Sequence, residues 1–274
     1  MKIVSWNTNS RTNEETLQDQ CKFLLSLGCN IICLQEITLK SQDFFKEAFR
    51  DWKIISSFDL SNDLNLLERK RKYGELIISQ HAFKPLDPYR INIPFPERVL
   101  SIKLQEEREG VEIYTTHVPP GSSNGVIKVE HYEGLYAYLK TNKSQKILTG
   151  DFNSPKTELA NGKIITWGQK VNANGKVRIA VNPKWKHQCS GERWDSAERS
   201  IIEYHGQINL KDAFRTLNGY ADDSGSWFTN KGVGRRYDHI FCSNNFHIKD
   251  CSYNQEPRLK KLSDHSPITA EFKI

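Results

Sequence analysis

Apolar residues recur along this chain in two rhythms, short unbroken runs and a spacing of three or four, and their alternation predicts strands interleaved with helices. Ile3 to Trp6 reads as a first strand, ended by Asn7-Thr8-Asn9-Ser10. From Asn13 to Leu27, Leu17, Cys21, Leu24 and Leu25 share one helical face, and Gly28 stops the helix. Ile31-Ile32-Cys33-Leu34 then reads as a buried strand, followed by Gln35 and Glu36, so strand, helix and strand form a βαβ unit. Parallel strands end on the same side, which would deliver Asn7 and Glu36 to one sheet edge. Gln42 to Arg50 predicts a short helix, Trp52 to Phe58 a strand and Tyr73 to Ile78 another. Arg98 to Leu104 and Val111 to Thr116 alternate like antiparallel strands around Gly110, and His117-Val118-Pro119-Pro120-Gly121 ends the second.

The same pattern continues through the second half. Tyr132, Leu135, Tyr136 and Leu139 mark a helix over Val126 to Lys140. Lys146 to Thr149 predicts a buried strand that Gly150 and Asn153-Ser154-Pro155 bring to an end, so that Asp151 and Asn153 lie at its carboxyl edge. Chemistry collects at such edges in α/β folds, although Asp and Asn are also ordinary turn formers. From Pro155 to Arg193 the periodicity is weak, and Lys163, Trp167, Lys170, Lys176, Arg178, Lys184, Trp185 and Lys186 interleave cations with aromatics. Such a stretch either stacks on bases and neutralises phosphates or is a surface excursion with inward-packed tryptophans. Ser196 to Tyr204 and Leu210 to Leu217 read as helical. Ser226-Trp227-Phe228, Tyr237 to Phe241, Phe246 to Tyr253 and Ile268 to Phe272 read as short strands.

Composition narrows the class. At 274 residues the chain can bury a sizeable core without a metal or disulfide staple, no linker or short repeat divides it, and a single domain over residues 1–274 is expected. No segment approaches the ~20 apolar residues of a membrane span, and Met1 runs straight into a strand with no apolar leader. Six cysteines without paired metal spacing suit reduced, buried thiols, which points to the cytoplasm and away from a membrane. A net charge of +6 is compatible with a polyanionic partner. The run Glu68 to Lys72 is either a solvated loop or a phosphate-contacting one, acting through Arg69 and Lys72. No obligate protein partner is evident.

Collected, the polar residues at the edges of apolar runs are Asn7, Glu36, His117, Asp151, Asn153, Asp238, Asp264 and His265. These are the residue types of a metal-assisted phosphodiester-cleaving site. A hard cation such as Mg²⁺ needs only a few carboxylate oxygens, which Glu36 and Asp264 supply. Asp151, oriented by Asn153, has the chemistry to activate a water. His265 beside Asp238 would be held as an imidazolium and offer a donor to phosphate.

Ser5-Trp6-Asn7, Leu34-Gln35-Glu36, Thr116-His117-Val118-Pro119, Gly150-Asp151-Phe152-Asn153, Arg236-Tyr237-Asp238-His239-Ile240 and Ser263-Asp264-His265 together resemble the endonuclease/exonuclease/phosphatase superfamily, most closely its exonuclease III and apurinic endonuclease branch. Glu97-Arg98-Val99, Asp212-Ala213-Phe214-Arg215 and Trp227 ahead of Asp238 are lesser matches. The resemblance implies a four-layer α/β sandwich, two packed mixed β-sheets flanked by helices. It implies that Glu36 with Asp264 binds Mg²⁺ or Mn²⁺, that Asn7 and Asn153 orient ligands or phosphate, that Asp151 activates water, and that His265 with Asp238 contacts the scissile phosphate. Arg98, Arg69, Lys72, Trp227 and Arg235 are then candidate substrate contacts.

The implied activity is hydrolysis of DNA leaving 3′-hydroxyl and 5′-phosphate ends. His117 stands where the apurinic endonuclease branch carries Tyr, and Pro120 where it carries Asn or Gln, so His117 could serve as a phosphate donor or general acid. Asn9 replaces an Asp of some members. A phosphatase or ribonuclease acting on RNA or another phosphoester is the alternative, and a silent nucleic-acid-binding module the remote one.

Overall fold

The structure is a computed structural model that describes residues 1–62, 72–105, 110–181 and 187–273. In chain order the strands are β1 (Lys2–Asn7), β2 (Ile31–Ile37), β3 (Lys53–Ser56), β4 (Gly74–Ser79), β5 (Phe83–Pro85), β6 (Val99–Leu104), β7 (Glu112–His117), β8 (Lys146–Asp151), β9 (Thr157–Glu158), β10 (Ile164–Ile165), β11 (Gln169–Val171), β12 (Val177–Ile179), β13 (Leu210–Asp212), β14 (Trp227–Phe228), β15 (Gly234–Arg235), β16 (Asp238–Ser243), β17 (His247–Tyr253) and β18 (Ile268–Lys273). One six-stranded sheet has the order β17-β18-β1-β2-β4-β3, and the other β13-β16-β8-β7-β6-β5. The two are built alike: each has one parallel pair at its centre, β1 with β2 and β7 with β8, and antiparallel neighbours on both sides.

Three apolar layers make this a four-layer α/β sandwich. Because strand side chains alternate faces, Ile3, Ile31, Cys33, Ile77, Ile113, Ile147, Ile240 and Ile268 point into the space between the sheets. Val4, Trp6, Ile32, Leu34, Leu76 and Ile78 point outward, onto helices Glu14–Ser26 and Leu39–Ala48 through Leu17, Cys21, Leu24 and Phe45. On the second sheet Tyr114, Leu148, Phe152 and Phe241 meet helices Val126–Thr141 and Gly191–Ile202 through Val129, Tyr132, Leu135, Trp194 and Ile201.

Several sequence-based expectations shift. Trp52 to Phe58 is only a strand at Lys53–Ser56 and then turns into a helical segment, because Ser56 and Asp59 form a reciprocal capping box. Leu210 to Leu217 is not helical throughout: Leu210–Asp212 pairs with β16, and Asp212 then caps the helix Ala213–Asn218. The excursion after Pro155 contains two small hairpins, β9 with β10 and β11 with β12. Gly150 does not end the strand. It lies within β8 at φ 135°, where a Cβ would come within 1.9 Å of the Thr116 carbonyl oxygen, so only glycine lets β8 run on to Asp151.

Candidate active site

The inward-facing residues that form the apolar middle layer become polar at one end of both sheets. In phase with Ile3 comes Asn7, in phase with Ile113 comes His117, and in phase with Ile147 comes Asp151. Asp238 begins β16 rather than ending an apolar run, and the antiparallel register places it directly opposite Asp151. Glu36 is out of phase with Ile31 and Cys33. A register shift in β2 between Leu34 and Ile37, with Glu36 in the left-handed region at φ 56°, turns it back to the site. Asn153 is left-handed too, at φ 50°.

The Asn7 amide ties the carboxylates together, donating to Glu36 Oε1 at 3.2 Å and Asp151 Oδ2 at 3.0 Å. Asp151 Oδ1 accepts from the Asn153 backbone N–H at 2.8 Å. His265 Nδ1 lies 2.7 Å from Asp238 Oδ2, and its Nε2 lies 3.8 Å from Asp151 Oδ2. Burial raises the Asp151 pKa to about 7 with Asp238 reinforcing it, while His265 opposes. Burial disfavours charge on His265, but Asp238 and then Asp151 outweigh it and raise its pKa to about 10. The result is an imidazolium beside a carboxylate that holds its proton weakly near neutrality.

His117 differs from His265. Arg98 Nη1 is 2.5 Å from its Nδ1, and a guanidinium has only donors, so Nδ1 accepts and the proton sits on Nε2. Nε2 faces Glu36 Oε1 at 3.6 Å and Asp151 Oδ2 at 3.7 Å. Burial and then Arg98 push the His117 pKa well below the ordinary range. His117 thus presents a neutral Nε2–H toward the two carboxylates. Arg98 itself is held over the Tyr73 ring, 5.3 Å from its centroid.

Glu36 and Asp264 line the same cavity and Asp264 is exposed. Burial raises the Glu36 pKa and Asp264 adds to the effect. Two carboxylates lining one cavity, with the Asn7 amide alongside, fit a hard divalent cation taking a few oxygen ligands. Asp151, Asp238 and His265 also lie close enough together to hold an ion. Within this group the one hydrogen bond joins His265 Nδ1 to Asp238 Oδ2, while His265 Nε2 stands 3.8 Å from Asp151 Oδ2.

The remaining expected residues divide. Trp227, Arg235 and Asn153 line a cavity of ≈ 700 Å³ that also reaches His117, Asp151 and His265. Trp227 Nε1 donates to Asp264 Oδ2 at 3.2 Å. Arg235 stacks on Trp167, 4.7 Å from the ring centroid. Lys72 is exposed and outside that lining; Arg69, Lys184, Trp185 and Lys186 lie outside the described residues.

Three buried charges were missed by the sequence reading. Glu75, on β4 in phase with Ile77, sits fully buried beneath the site, its pKa raised well above normal by burial and by Asp151 and Glu36. Lys128 and Glu198 form a buried ion pair at 2.7 Å, and Lys128 Nζ holds the Asn153 carbonyl and Ser154 Oγ, each at 2.8 Å. The signal was present: Lys128 lies one helical turn before Tyr132, and Glu198 one turn after Trp194, so each is a charge on an apolar face.

The model of the Endonuclease/Exonuclease/phosphatase family matches residues 4–265. Exodeoxyribonuclease III of Haemophilus influenzae is 26% identical, with both chains covered in full. Among solved structures, the 3′ phosphatase NExo from Neisseria bound to product DNA hairpin superposes with a TM-score of 0.69 at 22% identity, and an AP endonuclease from Archaeoglobus fulgidus with 0.67 at 20%, both over the full length of each chain.

Proposed function

The chain belongs to the endonuclease/exonuclease/phosphatase family, and from that membership we propose that it is a divalent-metal-dependent nuclease that hydrolyses DNA phosphodiester bonds by in-line attack of water, leaving 3′-hydroxyl and 5′-phosphate ends. The single observation that carries the reading is the placement of Asp151: a carboxylate with a pKa near 7 between an imidazolium and a neutral imidazole N–H. Asp151 takes the proton of the attacking water, held in orientation by the Asn7 amide and the Asn153 backbone N–H. His265, fixed by Asp238, and His117, fixed by Arg98, turn their Nε2–H groups toward non-bridging phosphate oxygens, where donors stabilise developing charge. When bound at Glu36 and Asp264, Mg²⁺ or Mn²⁺ supplies further positive charge there. The net charge of +6 and the cationic Arg235 at the cavity support a polyanionic substrate, and six buried free thiols support a reducing compartment, the cytoplasm.

The decisive assay offers end-labelled single-stranded, duplex and abasic-site DNA with Mg²⁺ or Mn²⁺ and identifies the new ends. Conversion of at least one DNA to 3′-hydroxyl and 5′-phosphate products is the expected result, and all DNA left intact would contradict it. His117, in place of the Tyr of the apurinic endonuclease branch, favours a second reading in which the phosphoester is RNA or a phosphomonoester. Faster turnover of either than of any DNA would establish that reading instead.

A further inference from the structure

The cavity that begins at Asp151 and His265 extends well past them, away from the sheets and into the excursion after Pro155. Its far part is walled by Trp167 and Trp194 and floored by the Gly168 and Gly191 backbone and the Ala180 methyl. No larger floor residue fits at the glycines. A Cβ on Gly168 would lie 2.4 Å from the Asp195 backbone nitrogen, and one on Gly191 2.3 Å from the Ala180 carbonyl oxygen. The aromatic walls are fixed by one buried carboxylate: Glu198 accepts from Trp194 Nε1 at 2.8 Å and from the Trp167 backbone N–H at 2.9 Å. The same Glu198 pairs with Lys128, which holds the loop after Asp151. Pocket and reacting group are thus positioned by a single ion pair.

Shape and chemistry together select an occupant. The volume of ≈ 700 Å³ lies in the range that encloses small organic ligands, far more than a bare deoxyribose or a phosphate fills. Two indoles line the recess, as stacking partners for a base do, and Arg235 places a cation at Trp167. A base still paired within a duplex cannot enter such a recess, because its partner strand would have to follow.

We propose that this cavity receives an unpaired nucleobase belonging to the nucleotide whose phosphate is attacked, so that the preferred substrate is a frayed end or unpaired nucleotide. The proposal rests on the nuclease reading above and names its substrate class.

Three oligonucleotides identical except at the 3′-terminal residue test it: an unpaired adenine, a paired adenine, and an unpaired tetrahydrofuran without a base. The expected kcat/KM for the unpaired adenine is at least ~10-fold above that for either other end, the size of effect that stacking one base produces. Ala180→Phe, which fills the recess, and Trp167→Ala, which removes a wall from the surface side, should each collapse that preference to about twofold or less, with circular dichroism checking the fold. Equal rates on all three ends, or a preference that survives both substitutions, would overturn the proposal.

A binding measurement separates it from the nuclease reading. Titrating Asp151→Asn protein with 2′-deoxyadenosine 5′-monophosphate should give a saturable quench of tryptophan fluorescence that Ala180→Phe weakens at least ~10-fold. No quench overturns the pocket. Quenching together with three uncut ends, and with the single-stranded, duplex and abasic-site DNA also left intact, supports the pocket and overturns the nuclease reading.

Discussion

Two clusters of buried charge flank the start of β16, and they are opposites. In the first, Arg236 donates to Asp212 Oδ2 at 2.7 Å and to both oxygens of Glu158 at 3.2 Å, while Arg215 holds Glu158 at 2.5 Å and donates its backbone N–H to Asp212 Oδ1 at 3.0 Å. Burial opposes charge on Asp212, but Arg236 outweighs it and holds the carboxyl well below its ordinary range. In the second, Asp151, Asp238, Glu36 and Glu75 converge, and among the described residues no arginine is a hydrogen-bond partner of theirs and Asp238 Oδ1 has none. Burial there raises Asp151 to about 7 and Glu36 and Glu75 above normal. The same residue types give a structural clamp where each acid meets a guanidinium, and a set of perturbed acids where the acids meet one another. Perturbed groups lining a cavity mark function; neutralised groups without one mark stability.

The comparison can be broken from either side. The largest effect is expected at Asp151: Asp151→Asn should lower turnover by roughly 10³–10⁴-fold, since it removes the general base. It should also raise the melting temperature by ~2–4 °C, about 1 kcal/mol at this chain length, because one of the crowded acids is gone. Arg236→Met should do the reverse. Taking the guanidinium from buried Asp212, while Arg215 still holds Glu158, should cost about 3–5 kcal/mol by chemical denaturation, with turnover per folded molecule nearly unchanged. Equal stability losses in the two variants would erase the distinction.

Next in size is the metal requirement. Chelation should abolish activity, and Glu36→Gln should shift the Mg²⁺ concentration for half-maximal activity upward by roughly 10–100-fold, as loss of an anionic ligand does. An unshifted titration would remove Glu36 from the metal. The smallest effect is the pH profile. Activity should climb with unit slope as Asp151 deprotonates through about pH 7 and fall as His265 loses its proton near pH 10. A flat profile from pH 6 to 9 would contradict this assignment.

Most of the framework was legible because period-two alternation is a strong signal. Once Ile3, Ile113 and Ile147 are assigned to one face, Asn7, His117 and Asp151 follow them to one edge. Glu36 required something that alternation hides, the irregularity of β2 that returns an out-of-phase carboxylate to the site. Glu75, Lys128 and Glu198 were passed over because charges at the ends of apolar runs draw the eye first, whereas these lie inside them. A charge embedded in an apolar pattern was the stronger clue, since burial without a partner is costly. The pocket behind Asp151 could not be read at all. Trp167 comes from a stretch of weak periodicity and is brought to Trp194, on the helix Gly191–Ile202, through Glu198, 31 residues further on.

The central claim, that the Asp151 cluster is under-neutralised while the Asp212 cluster is not, comes down to two protonation equilibria. Infrared difference spectra of chelator-treated protein between pH 3 and 9, with Asp151→Asn and Asp212→Asn proteins assigning the bands, read both directly. An acid whose pKa is raised on folding adds stability as pH falls, and one whose pKa is lowered adds it as pH rises, so the two must differ in sign. The expected result is a carboxyl band lost in Asp151→Asn that titrates near pH 7, and an Asp212 carboxylate still ionised at pH 3. Asp151 ionised throughout, like Asp212, would contradict the account.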